Sequence, residues 1–154
     1  GKDREMKKLL IINGPNLNLL GLREPELYGR ETYEDLVRRV ENACKEHGLE
    51  CKCFQSNHEG ALVDEIQEAR GRFDGIVINP AAYTHTSIAI LDALRAVGIP
   101  AVEVHLTDIS AREEYRRISF AGKACVRTIA GHGPAGYEEA ITFLEDYLKH
   151  PASK

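Results

Sequence analysis

The chain has 154 residues, with 24 acidic against 20 basic side chains and a formal charge of −4. That length fits one domain with a real core, and with no Lys/Arg run or stripe to follow a phosphate backbone, nucleic acid is not an expected partner. The longest apolar runs are strand-sized, so no membrane span is expected.

The four cysteines, Cys44, Cys51, Cys53 and Cys125, form no CxxC and no zinc spacing. Cys51 and Cys53 fall on one strand face, where thiols behave as small hydrophobes. Unpaired thiols and the lack of a signal peptide make the cytoplasm the expected compartment. Met6 is the only methionine, so Gly1 to Glu5 read as an added remnant, residues 6–150 as one domain, and residues 151–154 as a frayed tail.

In chain order, Leu9 to Asn13 forms the first predicted strand. A loop of about twenty residues, Gly14 to Thr32, follows, long for a connection from strand to helix and of the kind that usually covers or binds something. It carries Arg23 and Tyr28, with Gly21, Gly29 and Pro25 as hinges and a stiff centre. Thr32 is a helix N-cap with Asp35 three residues on, and Tyr33, Leu36, Val37, Val40, Ala43 and Cys44 follow at helical spacing until Gly48. Cys51 to Gln55 is the second strand, and Leu62, Ile66 and Ala69 mark one face of the next helix. Gly75 to Asn79 is the third strand, followed by a helix from about Thr86 to Val97 that Gly98 and Pro100 end. Ala101 to Leu106 and Ala124 to Ala130 complete the strands, and Tyr137, Ala140, Ile141, Leu144 and Leu148 pattern a last amphipathic helix.

Alternating strands and helices predict a parallel sheet covered on both faces. Five strands suit a flavodoxin-like, three-layer α/β fold, in which ligands bind beyond the carboxyl ends of the strands. Asn13, Asn16, Asn79 and His105 all gather at that edge.

The fourth strand carries the sharpest signal. A doubly covered parallel strand should be almost wholly apolar, yet Glu103 and His105 interrupt it, two residues apart and therefore on one face. A carboxylate beside an imidazole fixes its tautomer, as an acid or base requires. In "NPAAYTHTS" (Asn79 to Ser87), Thr84, Thr86 and Ser87 are N-cap candidates, while Asn79, at a strand end before Pro80, is harder to assign to structure alone. Ser56, Asn57 and His58 lie close together, but without a GxSxG elbow they read as turn and capping residues.

Neither GxGxxG after the first strand nor GxxxxGK[ST] is present, which argues against dinucleotides and nucleoside triphosphates. No HExxH-like pair offers a metal, and no lysine ends strands one to four, where an imine-forming lysine would face substrate. A tyrosine ionises near pH 10, so Tyr28 serves as a base only beside a permanent cation such as Arg23 in a water-poor site.

The motifs "NGPNLNLLGLREPELYG", "QSNHEGALVDEI", "NPAAYTHTS", "VEVHLTDISAREEYRRIS" and GxGxxGY (Gly131 to Tyr137) match, in order and spacing, those of type II 3-dehydroquinate dehydratases, which the sequence resembles from Met6 to about Leu148. The resemblance implies an anti elimination of water from 3-dehydroquinate to 3-dehydroshikimate through an enolate, without cofactor or metal, in the shikimate or quinate pathway. It implies Tyr28 as the base at C2, with Arg23 lowering its pKa, and Asn16 as holder of an enolate-stabilising water. His105 would protonate the departing C1 hydroxyl, tuned by Glu103. Asn79 and the backbone N–H groups of Leu106 and Thr107 would hold the substrate carboxylate, and His85 and Arg116 the ring hydroxyls. Asp92 would reach in from a neighbouring subunit of a trimer, with trimers assembled into a dodecamer. The chain departs from the family pattern at Thr107 ("HLT" for "HIS"), Leu91 (for Arg) and His132 (for Leu). The other class of reading is a non-catalytic flavodoxin-like binding or receiver domain, but a receiver needs clustered acids after the first strand, where "NGPN" stands.

Overall fold

Five short segments, the central ones almost wholly apolar, line up as one parallel sheet in a computed structural model that describes residues 6–22 and 24–150, without the side chains of Leu27 and Tyr28. The strands are β1 (Lys8–Asn13), β2 (Glu50–Gln55), β3 (Gly75–Asn79), β4 (Ala101–His105) and β5 (Arg127–Ala130), in the order β2-β1-β3-β4-β5. The helices are α1 (Pro25–Tyr28), α2 (Tyr33–Glu46), α3 (Glu59–Glu68), α4 (Ile88–Val97) and α5 (Ala135–Lys149). This is the expected flavodoxin-like arrangement.

The strand period of two sorts the core onto the two faces of the sheet. Leu9, Ile11, Val77, Val102, Val104 and Ile129 pack with α2 and α5, through Leu36, Val40, Ala140, Ile141 and Leu144. Leu10, Ile12, Ile76, Ile78 and Ala101 pack on the other face with α3 and α4, through Leu62, Ile66, Ile90 and Leu94. β1 and β3 are buried from Leu9 and Gly75 to their last residues, as central parallel strands must be.

Local chemistry sets the helix limits. The Thr32 hydroxyl accepts from Asp35 N and the Asp35 carboxylate accepts from Thr32 N, a complete capping box that starts α2. Ser87 caps α4 by accepting from Ile90 N at 2.9 Å. Thr84 and Thr86 do not cap it: Ala81–His85 is a separate 3-10 turn, so α4 begins at Ile88 rather than Thr86. The fifth strand also starts later than its pattern suggests, because Ala121–Ala124 winds into a 3-10 turn. Ser56 receives His58 N, the turn role expected of it, whereas His58 makes no side-chain cap and Asn57 Oδ1 instead receives Asn16 N from the loop after β1.

The long loop after β1 is not featureless. Leu17–Leu19 makes a 3-10 turn and α1 begins at its proline, with Gly21 and Gly29 at positive φ. Glu31, at the loop's far end, receives both Nε and Nη2 of Arg39, whose Nη1 donates to Glu138 at 2.6 Å. The loop's exit is thereby tied to α2 and α5 together. Arg23 lies outside the described residues.

Candidate active site

A cavity opens at the carboxyl edge of the sheet, where β1, β3 and β4 end. The sheet delivers polar residues to it from both faces. Asn79 continues the α5-side row of Val77, while His105 continues the α4-side row of Glu103.

Glu103 and His105 are 1% and 5% exposed, so the pair is formed in the dry interior. His105 Nε2 lies 2.6 Å from Glu103 Oε2. Burial pushes the Glu103 carboxyl upward, but its hydrogen bond and charge interaction with His105, with the Ser119 and Thr128 hydroxyls, outweigh that and hold it at about 2. The carboxylate is therefore ionised at neutral pH and can only accept, so Nε2 of His105 carries a proton. Thr84 Oγ1 donates to Oε2 at 2.8 Å and Thr128 Oγ1 to Oε1 at 2.7 Å, and Ser119 Oγ donates to Oε2 as well. Gly122 is required here, since a Cβ at that position would lie 2.5 Å from Glu103 Oε1. This cradle of hydroxyls fixes the carboxylate, which fixes the ring, and leaves His105 Nδ1 without a hydrogen bond among the described residues, at the cavity wall.

His85 comes from the 3-10 turn after β3. Its Nδ1 is 2.7 Å from the Ile118 carbonyl, which can only accept, so Nδ1–H donates and Nε2 is the acceptor. Burial pushes its pKa down, against the pull of the Ile118 carbonyl, and the ring is neutral at pH 7. Arg112 and Arg116 bring two guanidinium groups into the lining. Glu113, outside the lining, pairs with Arg116 Nε at 3.1 Å and with Arg112 Nε at 3.5 Å. Arg112 Nη1 donates to Thr107 Oγ1 at 3.3 Å. Among the described residues no carboxylate lines the cavity, so it suits a small anion that also carries hydroxyl groups. Among the described residues no group of three or more His, Cys, Asp or Glu side chains is placed to hold a metal.

Of the residues singled out in the sequence, Asn16, Asn79, His85, His105, Leu106, Thr107 and Arg116 line this one cavity, with Glu103 directly behind His105. Asn16 sits at φ 70, a left-handed conformation that asparagine tolerates better than most residues. Asp92 is exposed on α4 and does not line the cavity within this chain. Arg23 and the side chain of Tyr28 fall outside the described residues. Sequence reasoning missed Arg112, the partner of Thr107, although its motif "DISAREEYRR" places three arginines among acids shortly after a polar strand end. It also missed the supports Ser119 and Thr128 and read Thr84 as a cap, since their spacing in the chain gives no sign that they meet.

The fold and site together define a doubly wound α/β enzyme that works on a small hydroxylated anion. Residues 7–145 match the family model described as Dehydroquinase class II. A catabolic 3-dehydroquinase of Verticillium alfalfae is 52% identical over 142 residues, covering 92% of this chain and 95% of that protein. A 3-dehydroquinate dehydratase of Clostridium acetobutylicum is 50% identical over 141 residues, covering 92% and 98%. The crystal structure of a type II dehydroquinase from Butyrivibrio crossotus superposes with a TM-score of 0.90 at 51% identity, covering 92% of this chain and 99% of that one. The chain belongs to the class II dehydroquinase family, whose members are hydro-lyases.

Proposed function

We propose that this cavity dehydrates 3-dehydroquinate to 3-dehydroshikimate by anti elimination, in the shikimate or quinate pathway. The observation that carries the reading is the buried Glu103–His105 pair opening into a cavity lined by arginines and, among the described residues, by no carboxylate. The Tyr28 phenolate, its anion favoured by Arg23, takes the proton from C2, and the electron pair moves into the C3 carbonyl as an enolate. A water held by Asn16 stabilises that oxyanion. Collapse of the enolate forms the C1–C2 double bond and breaks the C1–O bond, and the hydroxyl leaves as water with a proton from His105. To give that proton, His105 must carry one on each nitrogen, and the Glu103 carboxylate supplies the compensating charge.

The substrate carboxylate lies against the Asn79 carboxamide and the Leu106 and Thr107 amides. Neutral His85 accepts from a ring hydroxyl through Nε2, beside Arg116. Asp92, exposed on α4, completes the site of a neighbouring subunit in a trimer, and the trimers build a dodecamer. Three large apolar side chains, Ile88, Tyr115 and Ile118, are exposed around the turn that carries His85, which supports a covered surface there. No helix among the described residues is long and apolar enough to cross a membrane.

The test is direct. Purified protein given 3-dehydroquinate should generate the ultraviolet absorbance of a conjugated enone, at a rate unaffected by chelator or by borohydride added with substrate. A borohydride-trapped lysine adduct with loss of activity would show imine chemistry instead. The absence of any enone would reject the reading.

A further inference from the structure

Tyr137 stands on α5, on the far side of the sheet edge from His105, and is fully buried. It is not among the cavity-lining residues. Its phenol nevertheless joins the ends of two neighbouring strands, because Asn13 and Asn79 are register partners in β1 and β3. Tyr137 Oη donates to Asn13 Oδ1 at 2.6 Å and accepts from Asn79 Nδ2 at 3.0 Å.

A phenol has one proton, and that constraint propagates. With the proton given to Asn13, the oxygen can only accept from Asn79, so Asn79 must turn its NH2 group toward Tyr137 and its carbonyl away. The carbonyl is then used locally, since Asn79 Oδ1 accepts from Ala81 N at 3.1 Å. Ala81 is one of few non-glycine residues at positive φ, at 54°, and this bond holds the turn that passes along the cavity. The surroundings give Asn79 no room to adjust. It is 3% exposed, its own carbonyl accepts from Gly14 N at 2.8 Å, and a Cβ on Gly14 would lie 2.3 Å from Pro80 O. The one polar group the carboxamide has left for the cavity is its second Nδ2–H, a donor.

We infer that Tyr137 is a positioning residue that, from the opposite end of the carboxamide to the Ala81 N–H, holds the donor polarity of Asn79, and so helps this subsite select a carboxylate over a neutral amide. A flipped carboxamide would present its oxygen to the substrate carboxylate and repel it. This inference rests on the proposed carboxylate contact of Asn79 and adds what determines its direction.

The test compares two competitive inhibitors that differ only at this group, quinate and its primary carboxamide. Wild-type enzyme should prefer the carboxylate. In Tyr137→Phe that preference should fall about tenfold, the size expected when one hydrogen bond to a charged group is lost, with KM for 3-dehydroquinate rising similarly and kcat changing much less. A purely structural role would lower the amount of active enzyme and leave the inhibitor ratio and KM unchanged. Asn13→Ala, at a residue outside the cavity lining, removes the acceptor that holds the phenolic proton and should lower the same ratio. A ratio equal to wild type in either folded variant overturns the inference. Independently of variants, a neutron structure of the wild type must show the phenolic hydrogen on the Asn13 side, and finding it directed at Asn79 overturns the inference too. Wild-type enzyme that fails to convert 3-dehydroquinate would reject the functional reading itself, whereas normal turnover with an unaltered ratio would reject only the role of Tyr137.

Discussion

Replacing Glu103 by glutamine keeps the shape of the side chain and removes the charge on which the buried pair depends. The carboxyl titrates at about 2 in the folded protein against an ordinary 4.5. That difference is worth about 3 kcal/mol of folding stability. The folded pKa lies below the unfolded one, so the contribution is fully present above the unfolded value and is lost as pH falls through the folded value. At neutral pH, Glu103→Gln should therefore be less stable by roughly 3 kcal/mol, because Thr84, Ser119, Thr128 and His105 all donate to an anion that is gone. The gap between the two proteins should narrow on acidification, by about 1 kcal/mol between pH 5 and pH 3.5. Urea denaturation at matched protein concentration, followed by far-ultraviolet circular dichroism across that range, measures it. kcat at neutral pH should fall roughly a hundredfold or more, since the imidazolium loses its counter-charge. A stability gap that is small at neutral pH, or that stays constant on acidification, would refute the assignment of an ionised Glu103.

Tyr28→Phe should lower kcat by orders of magnitude while leaving inhibitor binding and the circular dichroism spectrum close to wild type, and Arg23→Ala should move the basic limb of the rate profile to higher pH. Mixing Tyr28→Phe with Asp92→Ala, unfolding and refolding them together, should restore activity well above the sum of the two; no recovery in hybrids that size-exclusion chromatography shows to be assembled would place Asp92 in its own chain's site. Gly14→Ala forces a Cβ to within 2.3 Å of Pro80 O, so it should destabilise the protein by roughly 3 kcal/mol or more in denaturant titrations, with activity falling alongside.

Patterns that repeat along the chain were legible in the sequence. The period of two in β4 showed that Glu103 and His105 share a face, and apolar spacing with the Thr32 and Gly48 signals delimited α2 within two residues. The start of α4 differs from its pattern because three hydroxyl residues within four positions offer equivalent caps, and only the packing shows that Thr84 is committed to Glu103 instead. β5 was drawn too long for a related reason: "ACVRTIA" is apolar enough for a strand, but its first residue ends a 3-10 turn set by contacts with β4 and Ser119. The hydroxyl cradle and the Tyr137 bridge were invisible because their members lie far apart in sequence and none is chemically unusual alone. Arg23 and Tyr28 rest on the motif and its family alone.

The order in which the chain is made gives the Tyr137 bridge a consequence during synthesis. Asn13, Asn79, Glu103 and His105 leave the ribosome before Thr128 and Tyr137, and chains grow from the N-terminus. A nascent chain ending before β5 has every group that touches the carboxylate subsite, but neither the Thr128 hydroxyl on Glu103 nor the phenol that turns Asn79. α5 also brings Ala140, Ile141 and Leu144 to the core on that face of the sheet, so packing and discrimination should arrive together, in one step, as α5 docks.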